Sequence, residues 1–311
     1  MNVYLKLMRI DQYLKNIIVL LPLLFSGYLF VGDKIFHVLV GVLMFCLVSS
    51  AVYVMNDIAD AKNDASNPAK CNRPIASGRV KLREARILCI ALAAISISVS
   101  FIVLSPWAGF WIGIYFLINI FYSLGLKNIV VVDVVIIAAG FVIRAIYGTL
   151  IANLEIGVDV SKWFYFLIGA LTSFTTLGKR LNEKRRMIRT GLCIRKVLEP
   201  CSERMLRVCL YLALILMNIF YIIWIADIST ICETNPLWTI PFMILFSYKS
   251  FIIIIDNQTD HDPFPLFIRD KIWLITLIVL IGSIVITFYV EVPIINGDTS
   301  VLDTIKSLTG E

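Results

Sequence analysis

Nine runs of apolar residues, separated by polar segments, recur along this 311-residue chain. A helix needs about 20 mainly apolar residues to cross a bilayer, and each run approaches or reaches that length. Lipid offers no hydrogen-bond partner to the backbone, so each run is predicted to be an α-helix. The predicted spans are 17–32, 36–56, 86–104, 106–124, 129–152, 162–178, 205–226, 236–256 and 271–290.

The composition favours lipid as the main solvent. Hydrophobic residues make up 59% of the chain and charged residues only 16%, whereas soluble domains average about 45–50% and about 25%. One globular core of this length cannot bury so much apolar surface. We therefore predict an all-α, polytopic membrane protein: a nine-helix bundle with cytoplasmic cap loops, forming a single membrane domain over 1–311.

The basic residues predict the orientation. Segment 57–86 carries seven Lys and Arg residues and segment 179–207 carries ten, and the two lie on the same predicted side. The positive-inside rule places these segments and the N-terminus in the cytoplasm, in a multi-pass protein of the cell inner membrane. An odd number of spans then places the tail, 291–311, outside the cytoplasm.

The strongest chemical signal is the segment Asn-Asp-Ile-Ala-Asp-Ala-Lys-Asn-Asp at residues 56–64. On a helix, Asp57, Asp60 and Asp64 share one face. Three neighbouring carboxylates repel one another unless a cation joins them, and Mg²⁺ binds one or two carboxylates together with substrate phosphates. The spacing predicts a catalytic Mg²⁺ site for a diphosphate; the alternative is an acidic helix end in a solvated loop.

Three arginines and one acid are further candidates for substrate binding. Arg73 and Arg79 follow the acidic segment, and arginine suits bidentate contacts to phosphate; a turn that serves only topology is the alternative. Asp133 and Arg144 lie eleven residues apart on one face of the fifth predicted span. An arginine inside a membrane is costly and functional by default, although a structural ion pair would also explain it.

The acidic segment followed by Arg-Pro-Ile-x-Ser-Gly resembles the first aspartate-rich motif of the UbiA superfamily of intramembrane prenyltransferases. The resemblance covers roughly residues 5–290 and includes Arg9, Gln12 and Lys15-Asn16, with Tyr13 where the family usually has Trp. It implies nine helices and a site at the cytoplasmic face. The substrate-binding residues that it implies are Lys15, Asn16, Asn56, Tyr122 and Lys127.

One departure from the family pattern is informative. Most members have a second aspartate-rich motif between helices six and seven, whereas residues 177–186 of this chain are basic. This looks like the decaprenyl-phosphate phosphoribosyltransferase branch, which acts in cell wall biosynthesis and uses phosphoribosyl diphosphate and a polyprenyl phosphate. The resemblance implies that Lys179 and Arg180 bind the 5-phosphate and that Glu183 orients them or binds the ribose; a purely topological basic run is the alternative.

Two other functions stay open. Transfer of a prenyl group from prenyl diphosphate to an aromatic acceptor needs a second acidic cluster, and the nearest other acids, Asp256, Asp260 and Asp262, lie between the eighth and ninth spans. A lipid transporter would favour inverted repeats and charges near the midplane, and no repeat is evident. The expected partners are the two substrates and the lipid bilayer, without nucleic acid; a homo-oligomer is compatible with the sequence.

Overall fold

Every regular element in the described part of the chain is helical in this computed structural model. The structure describes residues 2–25, 35–66, 70–156, 160–191, 196–229, 236–256, 266–267 and 269–290. The α-helices are α1 Val3–Leu7, α2 Leu21–Leu24, α3 Ile35–Ala65, α4 Leu82–Val99, α5 Pro106–Leu124, α6 Val130–Ile156, α7 Lys162–Thr190, α8 Glu203–Ser229, α9 Ile240–Asp256 and α10 Lys271–Val290. The 3₁₀ segments are Ile10–Leu20, Leu126–Asn128, Lys196–Leu198 and Pro236–Thr239, and a π turn, Ser100–Leu104, follows α4.

Seven helices among the described residues are long and apolar enough to cross a membrane: α3, α4 with its π turn, α5, α6, α8, α9 with its 3₁₀ turn, and α10. The predicted span 17–32 begins as 3₁₀ helix and α2, and its residues 26–32 lie outside the described residues. The predicted span 162–178 is helical, but it is the first part of the more polar α7. A polytopic all-α protein is thus confirmed, while the count of nine spans stays a prediction.

Two helices extend beyond the predicted spans. α3 continues to Ala65, which confirms the helical placement of the acidic segment, and α7 continues to Thr190, so segment 179–190, which we expected to be a loop, is helical. The expectation of a loop at 179–190 was wrong because good helix formers such as Leu, Glu, Lys and Arg continue α7 past its apolar stretch. α7 ends at Gly191, whose φ of 67° is left-handed, a conformation that suits glycine at a helix C-terminus.

Backbone contacts divide the chain into two compact units, residues 1–23 with 29–159 and residues 24–28 with 160–311. In the first unit, α3 packs against α4, α5, α6 and the 3₁₀ segment Ile10–Leu20. A side chain at Gly148 of α6 would overlap the backbone of Val19, so this close approach requires glycine. The approach places Asn16 beside α6. A single domain over 1–311 stays a prediction, and the tail, 291–311, lies outside the described residues.

In the second unit, α7 packs along α8, and α9 packs against α8 and α10. Its core holds an aromatic cluster, in which the Phe25 ring lies 5.6 Å from Phe164, 5.4 Å from Trp224 and 5.9 Å from Phe288. Ring pairs at these separations stabilise a core beyond their area burial. The cluster fixes the start of α7, and the basic segment lies at the other end of the same helix.

Candidate active site

The three aspartates of the acidic segment lie on the last turns of α3. Asp57 and Asp64 are each only 3% exposed, whereas the side chain of Asp60 is 30% exposed. A buried carboxylate needs a cation or hydrogen-bond donors to offset its lost hydration. The partners of these carboxylates therefore define the site.

Arg73 joins the two buried carboxylates. Its Nη1 lies 3.3 Å from Oδ1 of Asp57 and 2.5 Å from Oδ2 of Asp64, and Nζ of Lys70 lies 3.7 Å from Oδ1 of Asp64. The backbone N–H of Ser77 donates to the Arg73 carbonyl oxygen at 2.9 Å, which closes the turn after it. The loop that follows α3 thus folds back onto the helix face predicted to bind metal.

Arg9 approaches Asp57 from the N-terminal segment. Its Nη2 lies 2.5 Å from Oδ1 of Asp57, and its guanidinium lies over the Tyr53 ring at 5.1 Å. Arg9 is the one non-glycine residue with positive φ in the described part of the chain, at 51°, and such strain often marks a functional site. The predicted site set omitted Arg9, although its place in the Arg-x-x-Gln stretch was a usable signal.

The end of α5 and the connection to α6 supply the remaining contacts. Nζ of Lys127 lies 2.5 Å from Oδ1 of Asp60, and the Ser123 hydroxyl donates to the side-chain oxygen of Asn56. The Tyr122 hydroxyl donates to Oδ1 of Asp133 at 2.8 Å. Of the predicted residues, Asn56 lies at the acidic end of α3 and Lys127 contacts it. Tyr122 and Asp133 bond to each other instead.

The carboxylate oxygens of this cluster are of the kind that binds Mg²⁺. The Asp57 and Asp64 oxygens converge on one nitrogen of Arg73, so the two carboxylates are close enough to share a positive charge. Carboxylate oxygens are ligands that Mg²⁺ prefers. Within the described residues, no group of three or more Asp, Glu, His or Cys side chains is placed to hold a metal ion, so Mg²⁺ binding by all three aspartates stays a prediction; Mg²⁺ on a diphosphate needs only one or two carboxylates.

Two other predicted residues differ in their placement. Nε of Arg79 donates to the Ser77 hydroxyl at 3.0 Å and its Nη2 to the Asn72 carbonyl oxygen at 2.5 Å, so Arg79 braces its own turn. Lys15 is exposed on the 3₁₀ segment Ile10–Leu20. The structure does not bring Arg79 to the carboxylates, and substrate binding by these two residues stays a prediction.

Arg144 and Asn16 meet inside the first unit. Nε of Arg144 donates to Oδ1 of Asn16 at 3.0 Å, and the Ser49 hydroxyl donates to the same oxygen at 3.3 Å. Among the described residues, Arg144 has no carboxylate partner, while Asp133 accepts from Tyr122. An ion pair between Arg144 and Asp133 is therefore not the explanation for this intramembrane arginine.

In the second unit, the basic residues at the end of α7 make two kinds of contact. Nη1 of the buried Arg180 lies 2.7 Å from Oε2 of Glu183, the residue predicted to orient it. Lys184 donates to the carbonyl oxygens of Leu198 and Glu199, at 2.9 and 3.1 Å. Lys184 thus fixes the turn before α8, whereas Lys179 is half-buried one residue before Arg180.

Lys249, a second cation within a predicted span, is neutralised by an acid. Its Nζ lies 2.9 Å from Oδ2 of Asp270, and Oδ1 of Asp270 accepts the backbone N–H of Trp273 at 2.9 Å. Asp270 thus caps the start of α10. The hydrogen bond from Lys249 holds the pKa of Asp270 below its usual range. This pair has a structural explanation that needs no ligand.

Helices of membrane length and an acid–base cluster at the end of one of them define an integral membrane enzyme. The model of the UbiA prenyltransferase family matches residues 19–275, and the chain belongs to this family. Decaprenyl-phosphate phosphoribosyltransferase of Corynebacterium glutamicum is 30% identical over 92% of this chain and 86% of its own length. The protein of that name from Mycolicibacterium smegmatis is 30% identical over 91% of this chain and 92% of its own.

Solved structures confirm the UbiA fold. A structure of digeranylgeranylglyceryl phosphate synthase has a TM-score of 0.68 and 18% identity, and covers 92% of this chain and 98% of its own. A UbiA homolog from Archaeoglobus fulgidus bound to GPP and Mg²⁺ has a TM-score of 0.68 and 17% identity, and covers 93% and 99%. At these identities the likeness concerns the fold alone.

Proposed function

We propose that the protein transfers the 5-phosphoribosyl group from phosphoribosyl diphosphate to a polyprenyl phosphate of decaprenyl type, in a Mg²⁺-dependent reaction that releases diphosphate. The observation that carries this proposal is the 30% identity, over about nine-tenths of the chain, to relatives named decaprenyl-phosphate phosphoribosyltransferase. The acid–base cluster at the end of α3 provides ligands for such a reaction.

In the reaction, the bond between the anomeric carbon and the leaving diphosphate oxygen breaks. A phosphate oxygen of the lipid attacks the same carbon from the opposite face and forms the new bond. The product is a β-ribosyl phosphate lipid, because attack from the opposite face inverts the anomeric carbon. The lipid phosphate has a second pKa near 6 and is largely a dianion at neutral pH, so attack requires no general base.

The site residues divide into two groups in this proposal. Asp57, Asp60 and Asp64 hold Mg²⁺, which when bound neutralises the charge of the leaving diphosphate. Arg73 and Lys127 already lie against these carboxylates, and in the proposal their N–H groups bind diphosphate oxygens. Arginine and lysine serve such roles because their donors match phosphate oxygens.

The proposed location follows from the same chemistry. Phosphoribosyl diphosphate is soluble, so we place the acidic end of α3 at the cytoplasmic face of the inner membrane, in agreement with the positive-inside rule. The acceptor lies in the bilayer with its phosphate at that interface. Burial of the two carboxylates at the membrane edge limits attack by water on the activated ribose.

The experiment uses purified protein in detergent with Mg²⁺, decaprenyl phosphate and radiolabelled phosphoribosyl diphosphate. We expect label to move into the organic phase, and expect EDTA or the Asp57→Asn substitution to prevent it. Near-normal transfer by Asp57→Asn would contradict the metal role of the acidic segment. Intact transfer in EDTA would contradict metal dependence while leaving the substrates in place.

Prenyl transfer is the second candidate, favoured by the Archaeoglobus fulgidus homolog whose structure contains GPP and Mg²⁺. Against it, the C-terminal half of α7 holds one acid, Glu183, and that acid pairs with Arg180. A second assay with prenyl diphosphate and an aromatic acid separates the two candidates. Prenylation without phosphoribosyl transfer would move the assignment to prenyl transfer.

A further inference from the structure

Arg144 is a buried cation held entirely by neutral groups. It lies within the membrane-length part of α6 and is 5% exposed. Its Nη1 donates to the Gly140 carbonyl oxygen at 2.8 Å, its Nη2 to the Tyr115 hydroxyl at 2.9 Å, and its Nε to Oδ1 of Asn16. Arginine stays protonated in proteins, so this pocket carries a full positive charge.

The surroundings of Arg144 offset its charge only in part. The rings of Phe45, Tyr115 and Phe141 lie 5.1, 4.9 and 5.0 Å from its guanidinium carbon. These cation–π contacts stabilise the cation but do not neutralise it. By contrast, the equally buried Arg180 has a carboxylate partner, Glu183. Through the described part of the chain, Arg144 has none.

The remaining donors of Arg144 suit an oxyanion. A guanidinium has five N–H groups, and the contacts above use one on each nitrogen. One N–H therefore remains on each of Nη1 and Nη2, the pair that binds phosphate in bidentate fashion. The neighbouring Asn16 side-chain N–H bonds only to the thiol of Cys46, at 3.2 Å, and a thiol is a weak acceptor.

We propose that Arg144 binds a phosphate monoester, and that this group is the 5-phosphate of the donor; the identity of the donor rests on the proposed function. Asn16, which holds Arg144, also bonds to Ser49, eight residues before Asp57 on α3. This separation corresponds to about 12 Å along the helix. Tyr53 lies on α3 between Ser49 and Asp57, and the Arg9 guanidinium that pairs with Asp57 lies over its ring at 5.1 Å.

The separation favours the donor 5-phosphate over the lipid phosphate. The lipid phosphate attacks the carbon that carries the leaving diphosphate, so it must lie near the diphosphate and hence near Asp57. The 5-phosphate is attached at the other end of the ribose, away from the leaving group. Arg144 is therefore an alternative to Lys179 and Arg180, the residues predicted from the sequence to bind this phosphate.

The test is binding to purified protein in detergent, measured by calorimetry with ribose 5-phosphate, inorganic diphosphate plus Mg²⁺, and decaprenyl phosphate as separate probes. The informative variant is Asn16→Asp, which places a carboxylate against Arg144 with almost no change of shape. We expect it to weaken ribose 5-phosphate binding about tenfold or more, the scale of a charge-assisted contact. We expect diphosphate binding to change less than twofold.

Three further variants complete the set. Arg144→Gln removes the charge, whereas Arg144→Lys keeps the charge but loses the two paired N–H groups of the guanidinium. We therefore expect the affinity of Arg144→Lys for ribose 5-phosphate to lie between those of the wild type and Arg144→Gln. Arg207→Gln is the matched control, because Arg207 pairs with Glu203 and is 45% exposed. The thermal stability of Asn16→Asp is expected to equal or exceed that of the wild type, since the new carboxylate neutralises a buried cation.

Each outcome decides something. Unchanged ribose 5-phosphate binding in both Asn16→Asp and Arg144→Gln overturns the inference. Loss of decaprenyl phosphate binding instead assigns Arg144 to the lipid phosphate and overturns the 5-phosphate assignment. Arg144-dependent binding of ribose 5-phosphate by a protein that transfers no phosphoribosyl group supports the inference and contradicts the proposed function. Transfer with Arg144-independent binding contradicts the inference alone.

Discussion

The acidic end of α3 and the basic end of α7 differ in how their charged side chains are paired. In the first unit, Asp57 pairs with Arg9, 48 residues away, and Asp60 pairs with Lys127, 67 residues away. In the second unit, Arg180 pairs with Glu183 one turn later, and Lys184 binds carbonyl groups 14 and 15 residues away. The acidic end thus gathers carboxylates and cations from several segments at one place, whereas Arg180 and Lys184 of the basic end bind an acid one turn away and carbonyl groups of the turn before α8.

The difference shows that a run of charged residues is not by itself a site. Asp57 and Asp64 have little exposure, and all three aspartates pair with cations from other segments. In the run at the end of α7, Arg185 donates to Glu203 at 3.1 Å and to the Ile255 carbonyl oxygen at 2.8 Å, which joins α7 to α8 and α9. We therefore expect substitutions at the first end to affect chemistry and those at the second to affect mainly stability.

The largest expected effect comes from Asp57→Asn. The loss of one negative ligand should lower kcat by roughly 10²–10³-fold or more, the scale for removing one electrostatic contact to a transition state. Mn²⁺ binding, followed by electron paramagnetic resonance, should weaken in parallel. Asp227→Asn is the matched control, because Asp227 contacts Ser161 and should keep normal activity. Equal losses in both variants would contradict a special role for Asp57.

Arg73→Gln and Arg185→Gln compare the two ends directly. Arg73→Gln should lower kcat/KM about 10–100-fold, since one charge-assisted contact to phosphate contributes about 1.5–3 kcal/mol. Arg185→Gln should leave kcat/KM within about threefold but lower the melting temperature, because the carbonyl oxygen of the half-buried Ile255 loses its donor. The opposite pattern would remove the proposed distinction between the two ends.

Lys184→Met is expected to have a smaller effect, confined to stability. It removes two hydrogen bonds to the turn before α8, a loss of about 1–2 kcal/mol in the free energy of unfolding. Thermal unfolding in detergent and proteolysis of the segment between α7 and α8 measure the change. A large loss of phosphoribosyl transfer with unchanged stability would instead place Lys184 in the donor site.

The smallest expected effect concerns Asp270, whose pKa is lowered chiefly by the hydrogen bond from Lys249. A lowered pKa contributes stability at pH values above the ordinary aspartate pKa of about 3.9 and loses that contribution as the pH falls through the lowered value. Because the pair is partly exposed, Asp270→Asn should cost less than about 1 kcal/mol. The difference in the free energy of unfolding between the variant and the wild type should become smaller as the pH falls. A difference that grows in acid would contradict a lowered pKa of Asp270.

Much of the fold was predictable because apolar runs of membrane length leave the backbone no alternative to helix. The shared helix face of Asp57, Asp60 and Asp64, which lie beyond the apolar run, was predictable from their spacing alone. The extension of α7 to Thr190 was not, because helix propensity beyond a span is a weak signal that neighbouring turns can override. The family-like Arg-x-x-Gln stretch was a signal for Arg9, but nothing local to Arg9 shows that its side chain reaches Asp57, 48 residues away.

The sequence by itself determined the class of fold, the acidic helix face and the family pattern, because these depend on residue type and on spacing within one helix. Only the tertiary structure decided which cation each acid pairs with, that Arg144 is held by neutral groups, and that Arg79 and Lys184 brace turns. The physical reason is that hydrogen bonds and ion pairs act over about 3 Å. The partners of a charged side chain are therefore fixed only when separate helices have packed.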